Sequence, residues 1–209
     1  LIDVSGSLDF GTSGQLKREC ATEIAATLAF SAIQNNDKIG VIFFSDYIEK
    51  YIAPKKGRKH ILYLIREMLT FTPNSKRTDV GVSLEYLNKV MKRRCTAFVI
   101  SDFYTRKDFS QELRIANKKH DVVAIQIYDP RAKEMPDVGL MKVVDAETGH
   151  EMYIDTHDAR LRKVHNKYWE EREIRLHEML SQSHVDSVAI ATDDDYVKML
   201  MTLFSKRNR

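Results

Sequence analysis

Hydrophobic and polar residues follow two alternating patterns along the chain: short runs rich in Val, Ile and Phe, and longer stretches with apolar residues every three or four positions. The short runs predict β-strands and the longer stretches predict amphipathic helices. We expect strands at residues 1–4, 38–44, 48–52, 96–100, 122–128 and 185–191. We expect helices at residues 15–34, 59–69, 80–92, 109–118, 159–180 and 194–204. This succession predicts an α/β fold with a mostly parallel central sheet flanked by helices.

The helical pattern lapses after the fifth predicted strand. Residues 140–144 and 151–154 are strand-like and flank a turn-forming sequence, DAETG, at residues 145–149. This arrangement predicts a β-hairpin inserted after the fifth strand, within residues 130–156. No internal repeat or low-complexity segment stands out, so we interpret residues 1–209 as a single domain.

Composition is typical of a globular protein, with 43% hydrophobic and 30% charged residues. The uninterrupted apolar run at residues 39–44 is far shorter than the roughly 20 residues that a membrane-spanning helix needs, so no membrane segment is expected in this chain. The formal net charge is +3, but charges of both signs are interspersed. We interpret the basic tail at residues 206–209 as a solvated helix end and expect no nucleic-acid partner.

The two cysteines, Cys20 and Cys95, predict buried free thiols because their contexts do not resemble a disulfide framework. Reduced thiols favour a cytoplasmic location. The chain opens on the strand-like residues Leu1 and Ile2 without an initiator Met, so we expect the full-length protein to carry a segment upstream of the first strand.

Oxygen-bearing side chains stand at the ends of two predicted strands. Asp3, Ser5 and Ser7 occupy alternate positions where the first strand runs out into a loop. Thr78 precedes the helix predicted to begin at Val80, and Asp102 follows the strand at residues 96–100. Open α/β sheets bind ligands at the carboxyl ends of their strands, and hard cations such as Mg²⁺ prefer oxygen ligands. The five residues therefore predict a divalent-cation site at one edge of the sheet.

A resemblance to a known superfamily rests on five residues in this order and structural context: Asp3, Ser5, Ser7, Thr78 and Asp102. They resemble the metal-ion-dependent adhesion site of the von Willebrand factor A superfamily, whose fold is Rossmann-like. More narrowly, three downstream segments resemble the bacterial family catalogued as domain of unknown function fifty-eight: YDPR at 128–131, EMPDVG at 134–139 and DAETG at 145–149.

The resemblance implies a role for each site residue. Ser5 and Ser7 would bind the metal directly, Thr78 would be a direct or switchable ligand, and Asp3 and Asp102 would act directly or through water. The implied ion is Mg²⁺, with Mn²⁺ or Ca²⁺ as alternatives. Mostly neutral ligands leave the ion positively charged, so an acidic residue from a protein partner can complete the coordination. The family further implies work with MoxR-type ATPases of the AAA+ class in complex assembly or chaperoning.

The alternative is a Mg²⁺-dependent phosphatase-like enzyme, because two aspartates at strand ends also mark several phosphatase-like α/β folds. Those enzymes usually need a second carboxylate two residues after the first, and Ser5 stands at that position. No activated nucleophile stands out in the sequence. We therefore expect a binding module and not an enzyme.

Overall fold

The computed structural model describes residues 1–12 and 14–207. Its strands are β1 (Ile2–Asp3), β2 (Ile39–Phe44), β3 (Ile48–Lys55), β4 (Thr96–Ser101), β5 (Asp121–Tyr128), β6 (Leu140–Val144), β7 (Glu151–Asp155) and β8 (Asp186–Ala191). Its helices are α1 (Lys17–Gln34), α2 (Arg58–Thr70), α3 (Val80–Val90), α4 (Ser110–Lys119), α5 (Pro130–Lys133), α6 (Ala159–Gln182) and α7 (Tyr196–Arg207). A 3-10 helix at Gly6–Asp9 follows β1.

The central sheet, within the described residues, has the strand order β3-β2-β1-β4-β5-β8. Neighbouring strands are parallel except β3, which runs antiparallel to β2. Strands of a parallel sheet are covered on both faces and therefore consist of continuous apolar runs. In β5, for example, Val122 to Ile125 are all buried. The mixed α/β fold with a mostly parallel sheet flanked by helices is thus confirmed.

Two apolar layers cover the faces of the sheet. Side chains of α1, α2 and α7, such as Ile24, Leu64 and Leu200, form one core with the sheet. On the other face, Leu84 of α3 and Leu113 of α4 belong to the second core, together with residues of α6. The helical periodicity predicted these elements because a surface helix buries one apolar stripe against its neighbours.

Some details differ from the sequence-based expectation. β3 extends to Lys55, and the short α5 and the 3-10 helix were not predicted. β6 and β7 pair antiparallel, with Leu140 opposite Asp155, in a two-stranded sheet separate from the central one. Cys20 and Cys95 are free; Cys20 is buried, whereas Cys95 is only half-buried. None of the described helices combines the length and apolar character needed to cross a membrane.

The strand order reverses direction at β1. Ile2 pairs with Phe43 of β2 on one side and with Ile100 of β4 on the other. From β1 the chain first adds β2 and β3 on one side of the sheet. It then returns to the other side of β1, where β4, β5 and β8 follow one another outward. A crevice forms outside the carboxyl ends of strands at such a switch point, and it is the usual ligand position in open α/β sheets.

Candidate metal centre

Asp3 is the last residue of β1 and is buried. One carboxylate oxygen, Oδ1, accepts a hydrogen bond from the Ser5 N–H at 2.9 Å, and Oδ2 accepts one from the Ser101 hydroxyl at 2.5 Å. The Ser101 oxygen in turn accepts the Phe103 N–H at 2.8 Å. These bonds join the carboxyl ends of β1 and β4 through one carboxylate.

The 3-10 helix brings Ser5 and Ser7 together. Ser5 precedes its first turn and Ser7 lies within it, and both side chains are buried. Their hydroxyl oxygens are 3.1 Å apart. In an extended strand, residues two positions apart would be separated by about 6–7 Å. The tight turn therefore converts an alternating sequence pattern into a pair of adjacent hydroxyl oxygens.

Thr78 lies in the loop before α3, and the backbone of this loop is bonded to the segments that follow β1 and β4. The Thr105 hydroxyl donates to the Thr78 carbonyl at 3.2 Å, and the Gly6 N–H donates to the Lys76 carbonyl at 3.0 Å. The Thr78 hydroxyl oxygen is buried and has no hydrogen-bond partner in the described structure. Buried polar groups are nearly always bonded, so an orphaned hydroxyl here suits a ligand position.

Asp102 follows β4 and forms a buried ion pair. Oδ2 of Asp102 lies 2.6 Å from Nζ of Lys17, the first residue of α1, and Oδ1 accepts the Tyr104 N–H at 2.9 Å. Arg172 donates to the Asp102 carbonyl at 3.0 Å. Burial opposes ionisation of Asp102, but the Lys17 ammonium, the Tyr104 N–H and the charge of Arg172 together lower the pKa of this carboxyl.

Asp3 has the opposite electrostatic situation. Burial, followed by the negative charge of Asp102, raises the pKa of Asp3 from 3.8 to about 7, against its hydrogen bonds from Ser101 and Ser5. Both of those hydrogen-bond donors are neutral. A cation at the site would supply the charge compensation that Asp3 lacks, so the residues present fit a bound metal ion.

The donor set also indicates the kind of ion. Within residues 1–12 and 14–207, His, Cys, Asp and Glu side chains form no group of three or more that could hold a metal. The candidate site instead offers two carboxylates and three hydroxyls. Such an all-oxygen set suits Mg²⁺, Mn²⁺ or Ca²⁺ rather than the zinc typical of Cys and His sites.

Sequence reasoning missed three residues that contact the site: Lys17, Ser101 and Arg172. Ser101 is the last residue of β4, so its position at the carboxyl end of a parallel strand was the signal that could have found it. Lys17 and Arg172 approach from helices distant in sequence, and nothing in their local sequence marks them.

Two of the solved structures with a similar fold come from Bacteroides species. The conserved hypothetical protein BatB from Bacteroides thetaiotaomicron aligns with a TM-score of 0.62 and 14% identity, over 98% of this chain and 95% of that chain. An aerotolerance-related membrane protein from Bacteroides fragilis NCTC 9343 aligns with a TM-score of 0.66 and 13% identity, over 98% and 96%. At these identities the likeness shows the fold alone.

Sequence relatives include mycobacterial proteins without a described function. The uncharacterised protein Rv1480 of Mycobacterium tuberculosis H37Rv is 33% identical over 151 residues, which cover 71% of this chain and 48% of that protein. The uncharacterised protein MAV169 of Mycobacterium avium is 28% identical over 160 residues, covering 76% and 94%. This chain thus spans about half the length of Rv1480. The family described as "Protein of unknown function DUF58" matches residues 1–174, which is most of the chain, and the chain therefore belongs to that family.

Proposed function

We propose that this domain is a divalent-cation-dependent protein-binding module with a von Willebrand factor A type of fold and adhesion site, in which the hairpin within residues 130–156 is an insertion. The proposed ligands are the five residues Asp3, Ser5, Ser7, Thr78 and Asp102. The observation that carries the proposal is the gathering of these buried oxygen-bearing side chains at one end of the sheet, with the Thr78 hydroxyl left without a partner.

Charge favours a cation over another ligand. The buried Asp3 carboxylate receives hydrogen bonds from neutral donors, whereas the charge of Asp102 is already compensated by Lys17. A divalent ion held by three hydroxyls and these carboxylates keeps exchangeable water positions, because Mg²⁺ dehydrates reluctantly. An acidic side chain from another protein can replace one of those waters. The proposal includes no catalytic step.

The proposed partner system is a MoxR-type AAA+ ATPase acting in complex assembly or chaperoning. Support comes from the family resemblance and not from a contact in this structure. An ATP-dependent partner is consistent with the cytoplasmic location proposed for the domain.

Metal binding is tested by replacing the two serines. Ser5→Ala/Ser7→Ala is expected to abolish the rise in melting temperature that Mg²⁺ or Mn²⁺ produces in the unmodified protein. Ligand at about 100 times its dissociation constant stabilises a protein by about 2.7 kcal/mol. For a chain of this size that corresponds to a rise of roughly 5–10 °C. Thermal unfolding measures the rise in melting temperature, and calorimetric titration measures the dissociation constant of the metal.

The matched control is Ser181→Ala/Ser187→Ala, which removes two exposed hydroxyls that are not at the carboxyl ends of the strands. This control should respond to Mg²⁺ as the unmodified protein does. An equal response of both double variants, or Mg²⁺-dependent phosphatase turnover that disappears in Asp3→Ala, would contradict the proposal.

Partner binding is tested separately, by capturing the MoxR-type ATPase of the same organism on the full-length protein with Mg²⁺ or with chelator. We expect capture that requires Mg²⁺ and is lost in Ser5→Ala/Ser7→Ala. Capture that persists in chelator contradicts a metal-bridged contact.

A further inference from the structure

The turn of the β6–β7 hairpin lies directly on the candidate metal centre. A Cβ atom on Gly6 would lie only 2.5 Å from the carbonyl oxygen of Ala146 and 3.0 Å from Cβ of Lys76. Any side chain at position 6 would therefore force one backbone segment away. The hairpin turn and the loop that carries Ser5 and Ser7 are in van der Waals contact.

Glu147 is the residue of this turn that faces inward. Among residues 144–151 it alone is half-buried, and all the others are exposed. Burial first, and then the charge of Asp145, raises the pKa of Glu147. The Arg106 guanidinium and the main-chain N–H of Thr78 oppose this rise in the pKa, whereas the charge of Asp102 adds to it. The Glu147 carboxyl group is thus close to two of the proposed ligands.

The turn holds Glu147 in a defined direction. Oδ1 of Asp145 accepts hydrogen bonds from the Glu147 N–H at 3.0 Å, from the Thr148 N–H at 2.7 Å and from the Thr148 hydroxyl at 2.9 Å. Gly149, with φ of 71°, closes the turn through a bond from its N–H to the Asp145 carbonyl at 2.8 Å. Because the backbone of this turn is already ordered, Glu147 can bind a ligand without the further entropy cost of ordering the loop.

We propose that Glu147 is an internal ligand of the cation and occupies the position that the acidic side chain of a partner takes when the hairpin moves away. This inference rests on the proposed function, because it requires a cation at the site. It extends that function by naming how access to the ion is controlled. The partner must displace a carboxylate that belongs to the same chain.

Charge explains why the metal would couple to the hairpin. Without an ion, the charges of Asp145 and Asp102 repel the Glu147 carboxylate and that of Arg106 attracts it. Lys17 reduces the repulsion from Asp102. A divalent ion reverses the sign of this interaction. A ligand carried by the same chain also competes at high effective concentration, so it excludes weak external carboxylates. Binding of the ion therefore holds the hairpin more firmly against the site, and a strong acidic partner displaces it.

Glu147→Ala tests the inference with Mn²⁺ as the probe. Free Mn²⁺ is measured by electron paramagnetic resonance, and the number of bound waters by the water-proton relaxivity per bound ion. We expect the Mn²⁺ affinity to fall on the order of tenfold, because affinity for hard cations depends on the number of charged ligands. We also expect the relaxivity to rise, because water takes the vacated position. Glu151→Ala is the matched control, since Glu151 is an exposed carboxylate on the same hairpin.

Each outcome bears on the inference. Weaker binding with higher relaxivity in Glu147→Ala, and neither change in Glu151→Ala, supports it. Unchanged affinity overturns it, and so does weaker binding with unchanged relaxivity, because charge alone would then be acting. If Glu147→Ala gives one of these overturning results while the unmodified protein binds Mn²⁺ and Ser5→Ala/Ser7→Ala does not, only the inference about Glu147 has failed. If the unmodified protein binds no Mn²⁺, both proposals fail.

Discussion

Lys17→Met is expected to destabilise the metal-free protein by about 3–5 kcal/mol, because it leaves the buried Asp102 carboxylate without its partner. The side chains of Lys17 and Asp102 are only 7% and 6% exposed, and their charged atoms are 2.6 Å apart. Water cannot replace the lost ammonium group at this depth. For a chain of this size, the melting temperature should fall on the order of 10 °C. Thermal and denaturant unfolding in chelator measure the change.

Two further variants separate the buried charge from other effects of the substitution. Lys167→Met breaks a 3.7 Å surface pair with Glu171, so it should cost only about 0–1 kcal/mol. Lys17→Met/Asp102→Asn removes both charges and should recover most of the lost stability. If Lys17→Met costs no more than Lys167→Met, the buried pair does not have the role assigned to it.

Asp3→Asn is expected to have opposite effects with and without metal. Above about pH 7, where the Asp3 carboxyl is ionised in the folded protein, the metal-free variant should be more stable than the unmodified protein. The Asn amide can accept the Ser5 N–H and donate to Ser101, so both hydrogen bonds are kept. The variant should, however, lose the stabilisation by Mg²⁺, because a neutral amide compensates no ionic charge. The free energies of unfolding of Asp3→Asn and of the unmodified protein are compared in chelator and in Mg²⁺.

The pH dependence of this difference has a definite sign. The folded-state pKa of Asp3 is raised from 3.8 to about 7, so between these values the unfolded chain releases a proton that the folded protein keeps. Asp3 therefore lowers stability progressively as pH rises through this window, and its full cost is present above it. The free energy of unfolding is measured against pH for both proteins. Subtracting the Asp3→Asn curve from that of the unmodified protein removes the contributions of titrating groups that behave alike in both. The control is Asp193→Asn, which removes an exposed carboxylate. Its free energy of unfolding should not diverge from that of the unmodified protein across this pH window. A flat difference curve would contradict the assigned burial of Asp3.

The fold was largely predictable because its main signal is local. Apolar runs such as residues 121–128 become central strands, and the helical period of residues 159–182 becomes α6. The separate β6–β7 sheet reflects an equally local pattern around the turn at residues 145–149. The local pattern did not predict two short elements, α5 and the 3-10 helix at Gly6–Asp9. Four residues carry too little periodicity to be recognised.

The candidate site was predictable only in part. The order of the residues, with Asp3 at the end of one strand and Asp102 directly after another, already brought them to one edge, because parallel strands end on the same side of a sheet. The sequence by itself therefore determined the residue types and their common location. The tertiary structure alone decided their charge state, since Lys17 pairs with Asp102 and leaves Asp3 uncompensated. It also decided that the hairpin turn carrying Glu147 packs against the loop after β1, because contacts between segments far apart in the chain leave no mark in local sequence.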